Sequence, residues 1–454
     1  MSSEEKYPKI VVEPPGPKAR EWLSRHKKVL AGVDMVYTPG LITARGEGCL
    51  VIDPDGNTFL DFCQSRTTEG HSRYELIEAA KKHIENEGFV GGIYTTTRMG
   101  SKAELAEKLM SLLPGKLRRE GKIAYCNSGT ESCDYALSMA RMELDRPLVI
   151  AFKGAYHGMT GSAMMASSWK ASKKKHFAPL VTDTHIVPYP YCYRCSFKQE
   201  YPECRLACIE YIRRLFDDVF DPSDVAAFIA EPIAGHAGFI VPPPDYFIEL
   251  KKLCEDIGAL FIDDEVYMGF GKTGRLFAIE HFNIEPDLYA LGKPLGAAGF
   301  NLAAVIGPGE MMDRSWLINS GAFSSGAPPL ASSMALEKLE LMYKEGWMEN
   351  AEKVGNYMMK RLGEMQHKFE IIGDVRGKGL IIGVELVKDR RTKEPAYKEA
   401  REIHNRLFKN GVVVSLGGTA ANPTLKISTA LIITEQLAGV GLDILERVLR
   451  QVPV

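Results

Sequence analysis

The sequence predicts an α/β protein: a large domain with a mostly parallel mixed sheet sandwiched by helices, joined to a small α+β domain. Three observations carry this. Short apolar runs of strand length (LVIAF, VAAFIAEPI, ALFIDDEV, DLYAL, NLAAVIG) recur through the middle of the chain, as expected of strands buried on both faces of a parallel sheet. Helical stretches such as DYFIELKKLCEDIG separate several of them and supply the crossovers that parallel strands need. The length, 454 residues, exceeds what one small core holds and suits a large unit with a second one attached.

Residues 1–74 read as an arm that joins the small domain. The arm has one helix around Lys18 to Leu30, then CLVIDPDGNTFLDF, two apolar runs around Asp55-Gly56. That pattern signals a hairpin. From Glu75 onward, YELIEAAKKHIENEG and KAELAEKLMSLL place apolar residues at helical spacing, and residues 75–329 form the large domain. Residues 330–454 form the small one. It opens with a long helix from about Leu330 to Tyr343 and a second helix. The strand LIIGVELV, the helix YKEAREIHNRLFKNG, the short strands VVVSL and TLKIS, and a last helix ending near Arg450 follow.

Composition is ordinary for a globular protein, 45% hydrophobic and 25% charged, with a net charge of −2 and both signs mixed along the chain. A nucleic-acid or membrane-surface protein would leave a basic stripe, so small molecules are the expected partners. No apolar run approaches the roughly 18 residues of a membrane span. The first residues, MSSEEKYPKIVVEPP, are charged and proline-rich with no apolar core, unlike a secretory signal. A cytoplasmic protein is expected.

Chemistry concentrates at strand ends. The run ALFIDDEV ends in acids, and ligands of open parallel sheets bind beyond the carboxyl ends of strands. Further on, DLYALGKPLG places Lys293 between Gly292 and Pro294 after another apolar run. An acid and a lysine on neighbouring strand ends suit a pyridine cofactor. The lysine condenses with an aldehyde, and the carboxylate keeps the ring nitrogen protonated. Taken singly, each motif reads first as an exposed turn lysine or a helix-capping acid. A third element, YCNSGTESCDYAL, is a hydroxyl-rich turn at a helix start, able to cradle a phosphate with backbone N–H groups or to be an ordinary N-cap. A fourth, FKGAYHGMTG, offers Tyr156 as a cover for one face of a ring, or as a core aromatic.

Together and in this order these segments resemble the class III (ornithine/4-aminobutyrate-type) aminotransferases of the type I pyridoxal-phosphate fold, close to archaeal members that include amino-acid racemases. The likeness runs from TPGLITARGEGCLVIDPDGNTFLDF to ITEQLAGVGLDILERVL. It implies that Lys293 carries pyridoxal 5'-phosphate as a Schiff base and shuttles the substrate proton, and that Asp264 pairs with the ring nitrogen. It implies that Val266 and Tyr156 cover opposite ring faces and that Ser128, Gly129 and Thr130 bind the phosphate. It also sets His157, Glu231 and Tyr267 around the cofactor. In GAFSSGAPPLAS, Ser324 or Ser325 would reach the phosphate of a neighbouring subunit, which implies a homodimer or a dimer of dimers. The activity implied is ping-pong transfer of an amino group from an amino acid or ω-amine donor to a 2-oxo acid acceptor.

The substrate residues depart from that family. EPIAGHAG stands in place of EPIQGEGG, so His236 occupies the position of a gating glutamate. TLKIS puts Lys426 where the partner arginine belongs. Two donors cannot form that salt bridge, although Lys426 remains a point charge for a substrate carboxylate. Met159 replaces a distal-carboxylate arginine, and Arg66 is a candidate replacement cation. His236 opens an alternative on the same scaffold: an amino-acid racemase or epimerase, in which an imidazole with an ordinary pKa of about 6.5 serves as the second acid–base group.

Of the nine cysteines, five (Cys49, Cys63, Cys126, Cys133, Cys254) sit among apolar neighbours and read as small core residues. The other four, Cys192, Cys195, Cys204 and Cys208, fall in PYCYRCSFKQEYPECRLACIEYI. CxxC followed by CxxxC could hold a structural zinc, which four thiols of a cytoplasmic protein fit better than two disulfides; a simple loop of reduced thiols is the other reading.

Overall fold

The computed structural model describes residues 7–31, 40–88, 100–169, 183–315, 326–419 and 421–452. The chain divides into two compact units. The larger comprises Glu75–Gly271 and Arg275–Lys344, the smaller Met1–Tyr74, Lys272–Gly274 and Glu345–Val454. The helix Pro329–Lys344, expected at the head of the small domain, falls in the larger unit. It packs there on the helix Ser101–Leu112, whose Ser101 hydroxyl donates to Pro329 O at 2.8 Å.

The larger unit is built on a seven-stranded sheet. Its order is Gly121–Cys126, Ala303–Pro308, Leu288–Leu291, Leu260–Asp264, Val225–Ala230, Leu148–Phe152, Thr184–Val187. Ala303–Pro308 runs against both its neighbours; the remaining pairings are parallel. The central strands Leu148–Phe152, Val225–Ala230 and Leu288–Leu291 are buried along their whole length, which is why they read as unbroken apolar runs. The helix Gly129–Leu144 lies on this sheet and buries Cys133, Ala136, Leu137 and Ala140 against it. Side chains alternate along a strand, so in Leu260–Asp264 the last two acids face opposite ways.

In the smaller unit the hairpin forms as the sequence indicates: Leu50–Ile52 pairs antiparallel with Thr58–Asp61. The Asp53 carboxylate accepts the N–H groups of Asp55 and Asn57, and Gly56 takes the positive φ that the turn requires. The run VVVSL is not one strand. Val412–Val413 pairs parallel with Leu60–Asp61, whereas Ser415–Gly417 pairs antiparallel with Thr424–Ser428 in a second sheet. Ile372–Lys378 is a further strand, antiparallel to Ile381–Asp389; its sequence, IGDVRGK, mixes glycine and charge and carries no apolar run to announce it. No described helix is long and apolar enough to cross a membrane.

Candidate active site

Three segments distant in sequence meet at the carboxyl edge of the large sheet. Lys293 follows the strand Leu288–Leu291, Val266 follows Leu260–Asp264, and Gly129 opens the helix Gly129–Leu144. A Cβ on Gly129 would lie 2.3 Å from Val266 Cγ1, and one on Gly292 would lie 3.0 Å from Gly129 Cα. Only glycine fits at either position, so the helix N-terminus is drawn against the lysine turn. Ser128 is the N-cap: its side chain accepts from Glu131 N at 3.3 Å, and Glu131 in turn accepts from Asn127 N at 2.7 Å. These two bonds fix the turn at the helix start, and a helix N-terminus can cradle an anion. Thr130 lies against Gly158, where a Cβ would come within 2.6 Å of its methyl and 2.8 Å of its hydroxyl.

Asp264 is almost wholly buried. Its Oδ2 is 2.6 Å from His157 Nδ1 and 3.4 Å from Cys133 Sγ, and its Oδ1 accepts the N–H of Val266 at 3.0 Å. Burial, then the charge of Asp264, pushes the Cys133 thiol well above its ordinary range, so it stays a neutral donor. His157 is itself pinned: its backbone N–H and that of Gly158 both donate to Ser167 Oγ, at 2.8 and 3.1 Å. Cys133, read from sequence only as core, is therefore a neighbour of the site. It sits one helical turn after Gly129, the spacing that carries a residue back to the same helix face.

Glu231 holds two loops of the site in place. Its Oε1 accepts the N–H of Tyr156 at 2.8 Å and its Oε2 accepts the N–H of Gly235. It ties two loops together rather than turning outward. Burial and the charge of Asp264 raise its carboxyl above the usual range, with His157 pulling the other way. One product of this tie is an aromatic group: the Tyr156 and His236 rings stack at 4.2 Å, and Trp169 lies 5.4 Å from His236 and 5.7 Å from Tyr156. Trp169 had no signal in the sequence. Tyr267 connects this group to the lysine. Its ring lies 4.8 Å from Lys293 Nζ and packs edge-on to Phe239, and a Cβ on Gly235 would touch it at 3.6 Å.

The opposite face of the same strand end holds Asp263 and Glu265, both fully buried. Burial, then the charges of Glu265 and Asp264, raises the Asp263 carboxyl far above its ordinary range. Burial likewise pushes Glu265 up to about 8.

The remaining sequence candidates lie in other parts of the chain. Ser324 and Ser325 lie outside the described residues. Arg66 is exposed and belongs to the smaller unit. Lys426 also belongs there, buried on the strand Thr424–Ser428 with its side chain laid over Gly417. A zinc at the four clustered cysteines finds no support among the described residues. Among the described residues, the group that brings three ligand atoms within 4.8 Å of one another is Cys133, His157 and Asp264. Cys192, Cys195, Cys204 and Cys208 line an apolar cleft with Tyr189, Tyr191, Phe197 and Tyr201. All four are free thiols. Burial, then the charges of Cys204 and Cys195, pushes Cys192 up to about 11, and burial pushes Cys208 up to about 12.

A family model described as Aminotransferase class-III matches residues 33–449. An alanine/serine racemase of Pyrococcus horikoshii is 38% identical over 98% of this chain and 93% of its own length. A leucine/methionine racemase of Thermococcus litoralis is 36% identical over 95% of this chain and 96% of its own. Among solved structures, an amine transaminase from an uncultivated Pseudomonas species with PLP bound superposes with a TM-score of 0.83. It is 25% identical and covers 91% of this chain and 96% of that one. With the lysine, the carboxylate and the glycine-lined helix start gathered at one sheet edge and a family match over most of its length, this chain belongs to the class III aminotransferase family.

Proposed function

We propose that the chain is a pyridoxal-phosphate-dependent racemase or epimerase of amino acids, with Lys293 and His236 as its two acid–base groups. The observation that carries this reading is the seat of His236: its imidazole stacks on Tyr156 at 4.2 Å, in a loop that Tyr267 links to Lys293 Nζ. The similarity to two archaeal racemases supports it and puts first the reading that the sequence offered as the alternative.

The residues fit the cofactor. Lys293 would hold it by Nζ and Asp264 by its ring nitrogen. Val266 and Tyr156 would cover its faces, and the Ser128–Gly129–Thr130 turn would take its phosphate. When bound, the group supplies an aldehyde for the substrate amine and a cationic ring that accepts the electron pair left at the substrate α-carbon. Asp264 serves this by being fixed, since His157, Cys133 and the Val266 N–H hold it in one orientation. Lys293 removes the α-proton as a base. His236 delivers a proton to the same carbon from its own side, and the two exchange roles in the reverse direction. Tyr156 and Trp169 flank the imidazole and exclude water from it on those sides. A cytoplasmic homodimer completes the reading.

Incubation with single L-amino acids in deuterated water, without an oxo acid, tests it. D-isomer carrying solvent deuterium at Cα is expected, with no net oxo acid. One equivalent of 2-oxo acid per site and no D-isomer would refute it in favour of amino transfer. That second reading has its own support in the family and in the likeness to an amine transaminase, and it needs Lys293 alone as the proton carrier.

A further inference from the structure

We propose that Lys338 is a positioning residue that sets the aim of Lys293. The inference rests on the reading that Lys293 carries the cofactor, and it holds for racemisation and amino transfer alike. Lys338 lies on the helix Pro329–Lys344 and is only 1% exposed. Its ammonium donates to Pro294 O and, at 2.7 Å, to Gly296 O. Both carbonyls belong to the short turn that begins at Lys293.

That turn is held in an unfavourable shape. Lys293 has a φ of +32°, outside the regions that L-residues with a side chain prefer. The chain beyond it is no looser: a Cβ on Gly296 would lie 2.0 Å from Phe300 O. Such a conformation persists only where its surroundings over-determine it. Local bonds supply part of this, from Leu295 N to Gly292 O at 2.8 Å and from Gly296 N to Lys293 O at 3.2 Å. The Lys338 ammonium supplies a clamp from a different element, one that bridges two carbonyls and fixes the plane of the peptides following Lys293.

Fold stability gives little reason for a charge at this position. Position 338 lies among the buried side chains of Met334, Ala335, Leu341 and Met342, where an apolar residue would pack without desolvating an ammonium. An apolar residue there would remove the desolvated charge and lose the two hydrogen bonds to Pro294 O and Gly296 O, a modest cost set against the gain. The role left for Lys338 is geometric: a reacting group displaced by about 1 Å loses up to roughly 100-fold in rate.

The test uses Lys338→Met in the cofactor-loaded enzyme, with Lys338→Gln as a second variant. Borohydride fixation and peptide mapping count the sites in which Lys293 holds the cofactor, and turnover is expressed per loaded site. The expected result is a melting temperature close to that of the wild type. Cofactor is still fixed at Lys293, kcat per loaded site is lowered roughly 10- to 100-fold, and KM is unchanged. Wild-type kcat per loaded site in either variant overturns the inference. So does failure of both variants to fold, because that would make Lys338 a stability residue. If the wild-type enzyme itself holds no cofactor at Lys293, the reading of the site fails first, and the two failures are told apart by that control.

Discussion

Replacing Glu265 by glutamine should stabilise the protein near pH 7 and change little near pH 4. Glu265 is wholly buried on the sheet face opposite the site, beside Asp263. Burial pushes its carboxyl from 4.5 up to about 8. The native state therefore keeps a proton that the unfolded chain has released. A folded pKa above the unfolded value means that the associated stability is fully present below about pH 4.5. It declines as pH rises and is lost once pH has passed about 8. At about 1.4 kcal/mol per pH unit, the decline between pH 4.5 and 7 amounts to about 3 kcal/mol. Glutamine releases no proton, and its amide oxygen can keep accepting the Ile279 N–H that Glu265 Oε1 accepts at 2.9 Å. Asp263 continues to titrate, so the variant retains a pH slope, but a shallower one. Urea unfolding of the cofactor-loaded enzyme at pH 5 and pH 8 measures the difference. Parallel pH dependences for wild type and variant would mean that Glu265 is ionised in the fold, and the argument from burial would be wrong.

Three further outcomes follow from the same geometry. Lys293→Ala should lose turnover and the visible absorbance of the lysine-linked cofactor; a variant that kept both would remove Lys293 from the chemistry. Gly129→Ala drives a Cβ to 2.3 Å from a β-branched side chain. Overpacking of this kind costs about 1–3 kcal/mol, and equilibrium dialysis should show weaker cofactor retention as the helix start moves off the lysine turn. His236→Phe keeps a ring against Tyr156 but removes the titrating nitrogen. D-isomer formation should fall by roughly 100-fold or more, and an unchanged rate would return His236 to the status of a pocket aromatic.

Much of the fold was legible because its signals are local. Fully buried strands must be apolar from end to end, and the hairpin at Asp53–Asn57 announces its turn by residue type. The strand Ile372–Lys378 escaped for the same reason, since glycine and charge interrupt its pattern. VVVSL was misread because nothing in five residues says that two sheets will share them. In the site, Lys293, Asp264 and the Ser128–Thr130 turn stood out because each sits at a strand end or helix start in an unusual run. Cysteine spacing left zinc open beside reduced thiols, because spacing does not fix where sulfurs point; the four thiols line an apolar cleft.

Local pattern thus indicated most of the element types, and the motifs taken together indicated the family. The fold alone set which side chains surround them. Cys133 reaches Asp264 across 131 residues and Lys338 reaches Gly296 across 42, and the stacking of His236 on Tyr156 joins two separate loops. These contacts depend on strand order in a parallel sheet, where neighbours in space are distant in sequence. A carboxylate or an ammonium carries no mark of its future neighbours until burial removes water and leaves hydrogen bonds and nearby charges to decide its state.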